Sequence, residues 1–176
     1  MRKLVLLPIA VLLVGAPVLA RAGDFTLASP AFTDHATIPK RYTCNGAGIS
    51  PPLAWSGAPR GTRAYALIVT DPDAPDPAHQ THTFVHWVAY NLPATTAALT
   101  PGAALPRGTR PGLNGTGHTG YTPPCPPVGR HRYFFRLFAL DVPLEIGAHP
   151  DRAALLKAMD GHVLARAVLI GTYAHH

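Results

Sequence analysis

The sequence lacks several patterns on which common protein classes depend. Its only serines, Ser29, Ser50 and Ser56, do not stand in a Gly-x-Ser-x-Gly turn, which argues against a serine hydrolase of that type. The basic residues are scattered rather than interleaved with aromatic ones, so the pattern of an RNA-binding sheet is missing. No internal repeat and no heptad is visible either, which argues against solenoids and coiled coils.

Long apolar runs are also missing, except at the N-terminus. MRKLVLLPIAVLLVGAPVLARA (1–22) has a basic start, an apolar middle and a small-x-small ending, which is the layout of a secretory signal peptide. The alternative is a membrane anchor, but two prolines and a glycine interrupt the apolar run. We therefore expect residues 23–176 to form a single domain that is periplasmic or secreted.

The positive charge of the chain is weak support for a nucleic-acid partner. Cleavage after residue 22 would remove Arg2, Lys3 and Arg21 and no acid, which lowers the formal net charge from +6 to +3. Because the remaining excess is small and dispersed, no nucleic acid is predicted as a partner.

Cysteine is scarce, with Cys44 and Cys125 as the only two. An even number in a chain that folds in an oxidising compartment favours one disulfide, which would close a loop of about 80 residues and contribute roughly 4 kcal/mol. Two alternatives stay open. The cysteines are unconnected small hydrophobic residues, or Cys125 is a reactive thiol that, with His131 nearby in sequence, serves a cysteine-dependent hydrolase.

Apolar, β-prone runs separated by turn residues predict a mostly β fold. We expect strands at 25–29, 52–56, 64–70, 84–92, 132–141 and in part of 162–173. One segment, PDRAALLKAMDGH (150–162), has helical character, with Leu155, Leu156 and Met159 as its apolar stripe. Short strands with one late helix predict an antiparallel β-sandwich with a helix packed at its edge.

Residues 94–130 are rich in proline and glycine and contain almost no run that could pair in a sheet. A connection of this length inside a domain is usually functional or disordered. Since it ends in the stiff sequence GYTPPCPPVG (120–129), we predict an ordered loop that walls a site.

Acidic residues are few, nine in all, yet two of them stand in DPDAP (71–75) directly after an apolar strand. Pro72 favours an extended Asp71, and alternation would then put Asp71 and Asp73 on a common side. The pattern predicts two carboxylates on a stiff turn. A plain Asp-Pro turn that caps the strand is the alternative.

Histidines follow this turn. His86 lies in the strand 84–92, where alternation predicts that it faces away from Val85 and Trp87, and His131 opens HRYFFRLF. Aspartates beside these imidazoles would raise their pKa, so that the charged rings, with the Tyr133 phenol and loop N–H groups, could bind an anion.

Metal binding is the competing interpretation of the same region. His79, His82 and His86 with an aspartate could serve as ligands, but their spacing suits a helix face while FVHW has the character of a strand. No metal and no cofactor is predicted.

The order of the motifs DPDAP, HWVAYNLP, GYTPPCPP, HRY and ALD resembles the phosphatidylethanolamine-binding protein family, in particular its bacterial Raf-kinase-inhibitor-like branch. NGAGISPPLAWSGAP before them and LLKAMDGHVLARAVLIGTY after them resemble that branch as well, so the resemblance spans residues 24–173. It implies a large antiparallel sheet packed on a smaller one, a short C-terminal helix, and a pocket for small anionic groups at one edge of the sheet.

Transferred motif by motif, the resemblance implies a set of pocket residues: Asp71, Asp73, Pro75, His86, His131 and Tyr133, with Pro123 and Cys125 in the wall. Carboxylates beside an imidazolium pair would suit a zwitterion such as phosphoethanolamine. Three features depart from the family pattern: glycine is more usual at Pro123, the link VGR (128–130) before His131 is a little shorter than usual, and asparagine is common at Gly48.

The resulting hypothesis is an exported, non-enzymatic protein that binds phosphate or a phospholipid headgroup and modulates another protein. A protease- or kinase-inhibitor-type interaction, with which the family is associated, is the further alternative. The sequence names no protein partner and leaves open whether the chain forms a homodimer.

Overall fold

The computed structural model describes residues 24–102 and 104–174. The signal peptide predicted for residues 1–22 lies outside the described residues. Within them are eight strands, one α-helix and a short 3-10 helix. The strands are β1 (Thr26–Ala28), β2 (Leu53–Ser56), β3 (Ala64–Asp71), β4 (Phe84–Pro93), β5 (Ala98–Leu99), β6 (Arg110–Pro111), β7 (Arg130–Leu140) and β8 (Val163–Ala174); the α-helix, α1, is Arg152–Ala158 and the 3-10 helix is Lys40–Tyr42.

The strands form two antiparallel sheets, as predicted. The large sheet has the order β6-β4-β3-β7-β8, and the small sheet has the order β1-β2-β5. Every residue of the central strand β3 is buried, because the small sheet covers one of its faces and α1 the other. This explains why AYALIVT is continuously apolar and does not alternate.

The core consists of two clusters on opposite faces of the large sheet. Leu67 and Phe135 pack between the two sheets, whereas Ile68 and Leu155 pack between the large sheet and α1. Adjacent residues of β3 therefore serve different clusters, as the period of two in a strand requires.

Helix α1 is shorter than the predicted segment. Asp151 is its N-cap, where the side-chain Oδ1 accepts a hydrogen bond from the Ala154 N–H at 2.8 Å. Leu155 and Met159 are buried, whereas Leu156 is only partly buried.

The proline- and glycine-rich segment 94–130 is ordered, but it contains pairing that the sequence did not reveal. β5 adds to the small sheet and β6 forms one edge of the large sheet, where Pro111 stands opposite Ala89. Proline is tolerated there because an edge strand needs hydrogen bonds on one side only.

Antiparallel pairing brings three chain segments together at one end of the large sheet. β3 ends at Asp71, which pairs with Phe84 at the start of β4, and Thr70 pairs with Phe134 near the start of β7. β7 begins at Arg130, two residues before the predicted start, so that His131 is part of the strand. In the described part of the chain, no helix combines the length and the apolar character that crossing a membrane requires.

Candidate functional site

A cavity of about 240 Å³ lies at this end of the large sheet, between the ends of β3, β4 and β7 and the proline-rich wall. Seven of the eight predicted pocket residues line it: Asp71, Pro75, His86, Pro123, Cys125, His131 and Tyr133. Three neighbouring strands, the turn after β3 and the proline-rich wall thus bring together residues that are up to 62 positions apart in the sequence, from Asp71 to Tyr133.

A buried ion pair forms one side of the cavity. His131 Nδ1 donates to Asp71 Oδ2 at 2.7 Å, and both side chains are almost fully buried. The other Asp71 oxygen accepts the Asp73 backbone N–H at 2.8 Å, and His131 Nε2 lies 3.0 Å from the Val128 carbonyl oxygen. Because both ring nitrogens of His131 already face an oxygen, this histidine has no N–H left for a ligand, contrary to the sequence-based expectation.

His86 differs from His131 because one of its nitrogens is unoccupied. Nδ1 donates to the Thr122 carbonyl oxygen at 2.7 Å, while Nε2 is buried without a hydrogen-bond partner, 4.0 Å from Asp71 Oδ2. Burial lowers the pKa of His86, and the opposing effects of the Thr122 carbonyl and the Asp71 carboxylate do not cancel it. The expectation of a raised pKa at His86 is therefore wrong.

Tyr133 supplies a second unoccupied polar atom. Its hydroxyl is buried without a hydrogen-bond partner, and its ring meets the His86 ring edge to face, with centroids 5.1 Å apart. Burial, reinforced by the charge of Asp71, raises the pKa of Tyr133 far above its ordinary value, so the phenol keeps its proton and remains a donor. Among the described residues only four buried side-chain atoms lack a partner, and the two in this cavity are His86 Nε2 and the Tyr133 hydroxyl.

A register shift in the ladder between β3 and β4 orients His86. Trp87 and Val85 pair with adjacent residues of β3, which leaves His86 without a partner of its own. Such a bulge interrupts the alternation of side chains. Trp87 packs between the two sheets, whereas Val85 packs on the opposite face of the large sheet, toward α1. The two neighbours of His86 therefore lie on different faces, and the expectation that both face away from His86 is wrong.

Asp73 is the predicted pocket residue that the structure does not place in the cavity. Its two oxygens accept from Arg132 Nε at 2.9 Å and Arg132 Nη2 at 2.7 Å, and one also accepts the Arg132 backbone N–H. Arg132 is exposed between the buried residues His131 and Tyr133, so its side chain points away from the cavity. The strand ends at Asp71, where the chain turns, and alternation beyond this point does not apply.

The wall of the cavity is tied to the body of the domain by a disulfide. Cys44 and Cys125 are bonded, with Cα atoms 5.4 Å apart, which confirms the disulfide prediction and removes the reactive-thiol alternative. The Cys44 N–H also donates to the Pro124 carbonyl at 3.0 Å. Two of the three departures from the family pattern, Gly48 and Pro123, lie next to each other here, because a Cβ on Gly48 would lie 3.4 Å from the Pro123 ring.

Six further residues line the cavity that were not among the eight predicted pocket residues: Ala74, His82, Phe84, Thr122, Pro126 and Pro127. The Phe84 ring packs against the His86 ring with centroids 4.8 Å apart, and its position two residues earlier in the same strand could have indicated this. His79 lies at the surface, 3.2 Å from Asp76. Within residues 24–102 and 104–174, no group of three or more histidine, cysteine or acidic side chains could hold a metal ion.

Comparisons with known proteins agree with the geometry. The family model for phosphatidylethanolamine-binding proteins matches residues 28–174. The chain is 47% identical over 151 residues to a UPF0098 protein of Methanothermobacter thermautotrophicus and 46% identical over 147 residues to one of Chlamydia trachomatis. In both cases the match covers 84% of this chain and 97% of the relative.

Solved structures show the same architecture. A phosphatidylethanolamine-binding protein homologue from Chlamydia trachomatis superposes with a TM-score of 0.82 at 44% identity, and Escherichia coli YbcL with a TM-score of 0.78 at 28% identity. Each match covers 87% of this chain and 99% of the other. The sequence match, the two-sheet fold and the motif residues around the cavity lead to one conclusion: this chain belongs to the phosphatidylethanolamine-binding protein family.

Proposed function

We propose that this chain is an exported, non-catalytic binding protein whose cavity holds a small phosphate-bearing ligand of the phosphoethanolamine type. The observation that carries the proposal is the pair of buried, unpartnered atoms, His86 Nε2 and the Tyr133 hydroxyl, in one cavity. A buried polar group without a partner costs about 1–3 kcal/mol, and a phosphate oxygen would accept from both groups at once when His86 Nε2 carries a proton.

The charges of the cavity favour an anion that arrives together with a proton. The Tyr133 phenol is a neutral donor at any physiological pH, whereas His86 Nε2 donates only after the ring has taken up a proton. The Asp71 carboxylate, 4.0 Å from Nε2, would stabilise the ring once it is charged. Both ring nitrogens of His131 already face the oxygens of Asp71 and Val128, so the anion is held mainly by His86 and Tyr133.

The size of the cavity suits a headgroup rather than a whole phospholipid. Its volume of about 240 Å³ is smaller than the roughly 300–1,000 Å³ of a pocket that encloses a drug-sized molecule. The family name supports the same ligand class, since it refers to a phospholipid with a phosphoethanolamine headgroup.

Binding without catalysis agrees with the residues that line the cavity. The sulfur of Cys125 is held in the disulfide, and no serine lies among the described lining residues, so neither a free thiol nor a serine hydroxyl is available there as a nucleophile. The disulfide also supports export, because such bonds persist in oxidising compartments.

Titration calorimetry of the protein at about pH 5.5 with inorganic phosphate, phosphoethanolamine and ethanolamine tests the proposal. We expect the two phosphate-bearing ligands to bind and ethanolamine not to bind. Tyr133→Phe should weaken phosphate binding by about tenfold, the value of one hydrogen bond to a charged group. Tyr90→Phe is the matched control, because the Tyr90 hydroxyl bonds the Gly147 carbonyl outside the cavity. Binding of ethanolamine alone, or equal losses in both variants, would contradict the proposal.

A further inference from the structure

An arginine-rich surface lies on the face of the large sheet that turns away from the cavity. Because it lies beside β8, the last strand of the large sheet, we call it the arginine edge. It consists of Phe134 and Arg136 of β7, Arg166 and Val168 of β8, and Arg152 of α1. Arg136 stands opposite Val168, and the neighbouring Phe138 stands opposite Arg166, so Arg136 and Arg166 are diagonal neighbours on one face.

The arginine edge carries positive charge that no nearby acid balances. The Arg136 guanidinium lies 4.5 Å from the centre of the Phe134 ring and donates to Thr70 Oγ1 at 2.6 Å. Burial lowers the pKa of Arg136, and the positive charges of Arg152 and Arg166 lower it further. Among the arginines of the described residues, only Arg132 has a carboxylate within 4.0 Å. Like charges crowded in this way destabilise the surface unless an anion approaches it.

The open edge of β8 runs alongside these arginines. Ile170 and Thr172 direct their backbone groups away from β7 and bond to segment 34–38, with the Thr172 N–H on the Ala36 carbonyl at 2.8 Å. Alternation puts the amide and carbonyl groups of Arg166 and Val168 on the same edge. No hydrogen bond from within residues 24–102 and 104–174 reaches those groups, and both side chains are exposed.

Segment 34–38 shows which kinds of group bind to the edge of β8. Next to the open stretch, the Ile170 N–H donates to the Asp34 carboxylate at 2.8 Å, and the Ile170 carbonyl accepts the His35 N–H. A piece of chain that carries an acid, turning at Asp34 and His35 and bridging β8 at Thr37, therefore already covers the neighbouring half of the edge with backbone and carboxylate hydrogen bonds.

We propose that the arginine edge binds an acidic, extended segment of a partner polypeptide, which adds to β8 beside Arg166 and Val168. The backbone of the segment would bond the open amide and carbonyl groups, in the manner of strand addition to a sheet edge. Its carboxylates would lie against Arg136, Arg152 and Arg166. An anionic lipid surface could satisfy the arginines but not the strand edge, so these observations favour a peptide. The arginine edge is independent of the cavity and of its ligand.

A labelled, end-capped hexapeptide of alternating valine and glutamate tests the proposal by fluorescence anisotropy with the full protein. We expect saturable binding that weakens as salt is added, and no binding of the analogue in which lysine replaces glutamate. Arg166→Glu should weaken binding by at least about tenfold, since it reverses one of three facing charges. Arg107→Glu, the same change at an exposed residue near β6 on the opposite edge of the sheet, should leave binding unchanged.

Amide hydrogen exchange provides the second measurement and does not depend on the variants folding well. Saturating peptide should slow exchange at Arg166 and Val168 by about tenfold or more, because strand pairing protects these two amides. Three results would overturn the proposal: no binding of the peptide, equal losses in the two glutamate variants, or unchanged exchange at both amides. Arg166-dependent binding to phosphatidylglycerol vesicles without peptide binding would assign the surface to a membrane instead.

Discussion

His131 Nδ1 and Asp71 Oδ2 lie 2.7 Å apart and join the start of β7 to the end of β3 inside the protein. The two residues are 60 positions apart in the sequence, and both side chains are almost completely buried. Because the His131 ring and the Asp71 carboxylate already bond each other and nearby backbone groups, the neighbouring His86 and Tyr133 are the groups that remain available to a ligand. The pair therefore holds the strands that form the cavity, while His86 Nε2 and the Tyr133 hydroxyl are the polar atoms that a ligand could contact.

Replacing the carboxylate of this pair should destabilise the fold. Asp71→Asn keeps the shape but removes the charge opposite His131, and we expect the free energy of unfolding to fall by about 2–4 kcal/mol. Asp160→Asn, the same change at an exposed position, should stay within about 0.5 kcal/mol. Urea denaturation measures both. Equal stability of the two variants would show that the ion pair contributes nothing.

Two tyrosines should respond in opposite ways to loss of the hydroxyl. Tyr133→Phe removes a buried group without a partner, so the ligand-free variant should be at least as stable as the parent protein, by up to about 1 kcal/mol. Tyr121→Phe removes a hydroxyl that donates to the Tyr42 carbonyl at 2.9 Å and should lose about 1 kcal/mol. Denaturation curves in ligand-free buffer measure both. A larger loss at Tyr133 than at Tyr121 would mean that the Tyr133 hydroxyl already has a partner.

The bond between Asp73 and Arg132 should contribute to stability against acid. Hydrogen bonds from Arg132 hold the pKa of Asp73 below its ordinary value of 3.8, more than burial raises it. Because the folded-state pKa is lowered, the contribution is complete above about pH 4 and is lost as the pH falls through the folded value.

Asp73→Asn should therefore lower stability at neutral pH and flatten the dependence of stability on pH below about pH 4. Denaturation midpoints measured between about pH 2 and pH 7 provide the comparison. Parallel curves for the variant and the parent protein would contradict a lowered pKa at Asp73.

Reduction of the disulfide should cost stability and release the cavity wall from one of its attachments. The bond joins cysteines 81 positions apart, so its loss corresponds to about 4 kcal/mol in the chain-entropy model. Native protein should show no thiol until reductant is added, and the double variant Cys44→Ser, Cys125→Ser should not respond to reductant. A free thiol in the untreated native protein would contradict the bond.

Local patterns predicted a β-sandwich and grouped the aspartates and histidines, whereas the family resemblance implied the large and small sheets and the full set of cavity residues. Apolar runs located the long strands, and the proline-rich motif indicated a stiff wall. β5 and β6 were not predicted, since strands of two residues leave no periodic pattern, and proline in β6 conceals a strand that is tolerated only at an edge.

The sequence could not predict how two of the site residues are oriented. Asp73 lies beyond the end of β3, where Arg132 from another strand takes its carboxylate, and no local pattern encodes that partner. His86 lies at a register shift, which depends on how β4 pairs with β3 and not on β4 alone. The sequence also could not predict the direction of the pKa shift of His86, because burial in the folded protein lowers this pKa more than the nearby Asp71 raises it.

The central claim is that a phosphate group in the cavity holds a proton on His86. Calorimetry with phosphoethanolamine at about pH 7.5, in buffers of different ionisation enthalpy, counts the protons taken up on binding. His86→Gln separates the uptake by the protein from that by the ligand, and His82→Gln is the control at a second histidine that lines the cavity. We predict an uptake that approaches about one proton in the parent protein and in His82→Gln, and that is largely lost in His86→Gln. Equal uptake in the parent protein and His86→Gln would contradict the claim.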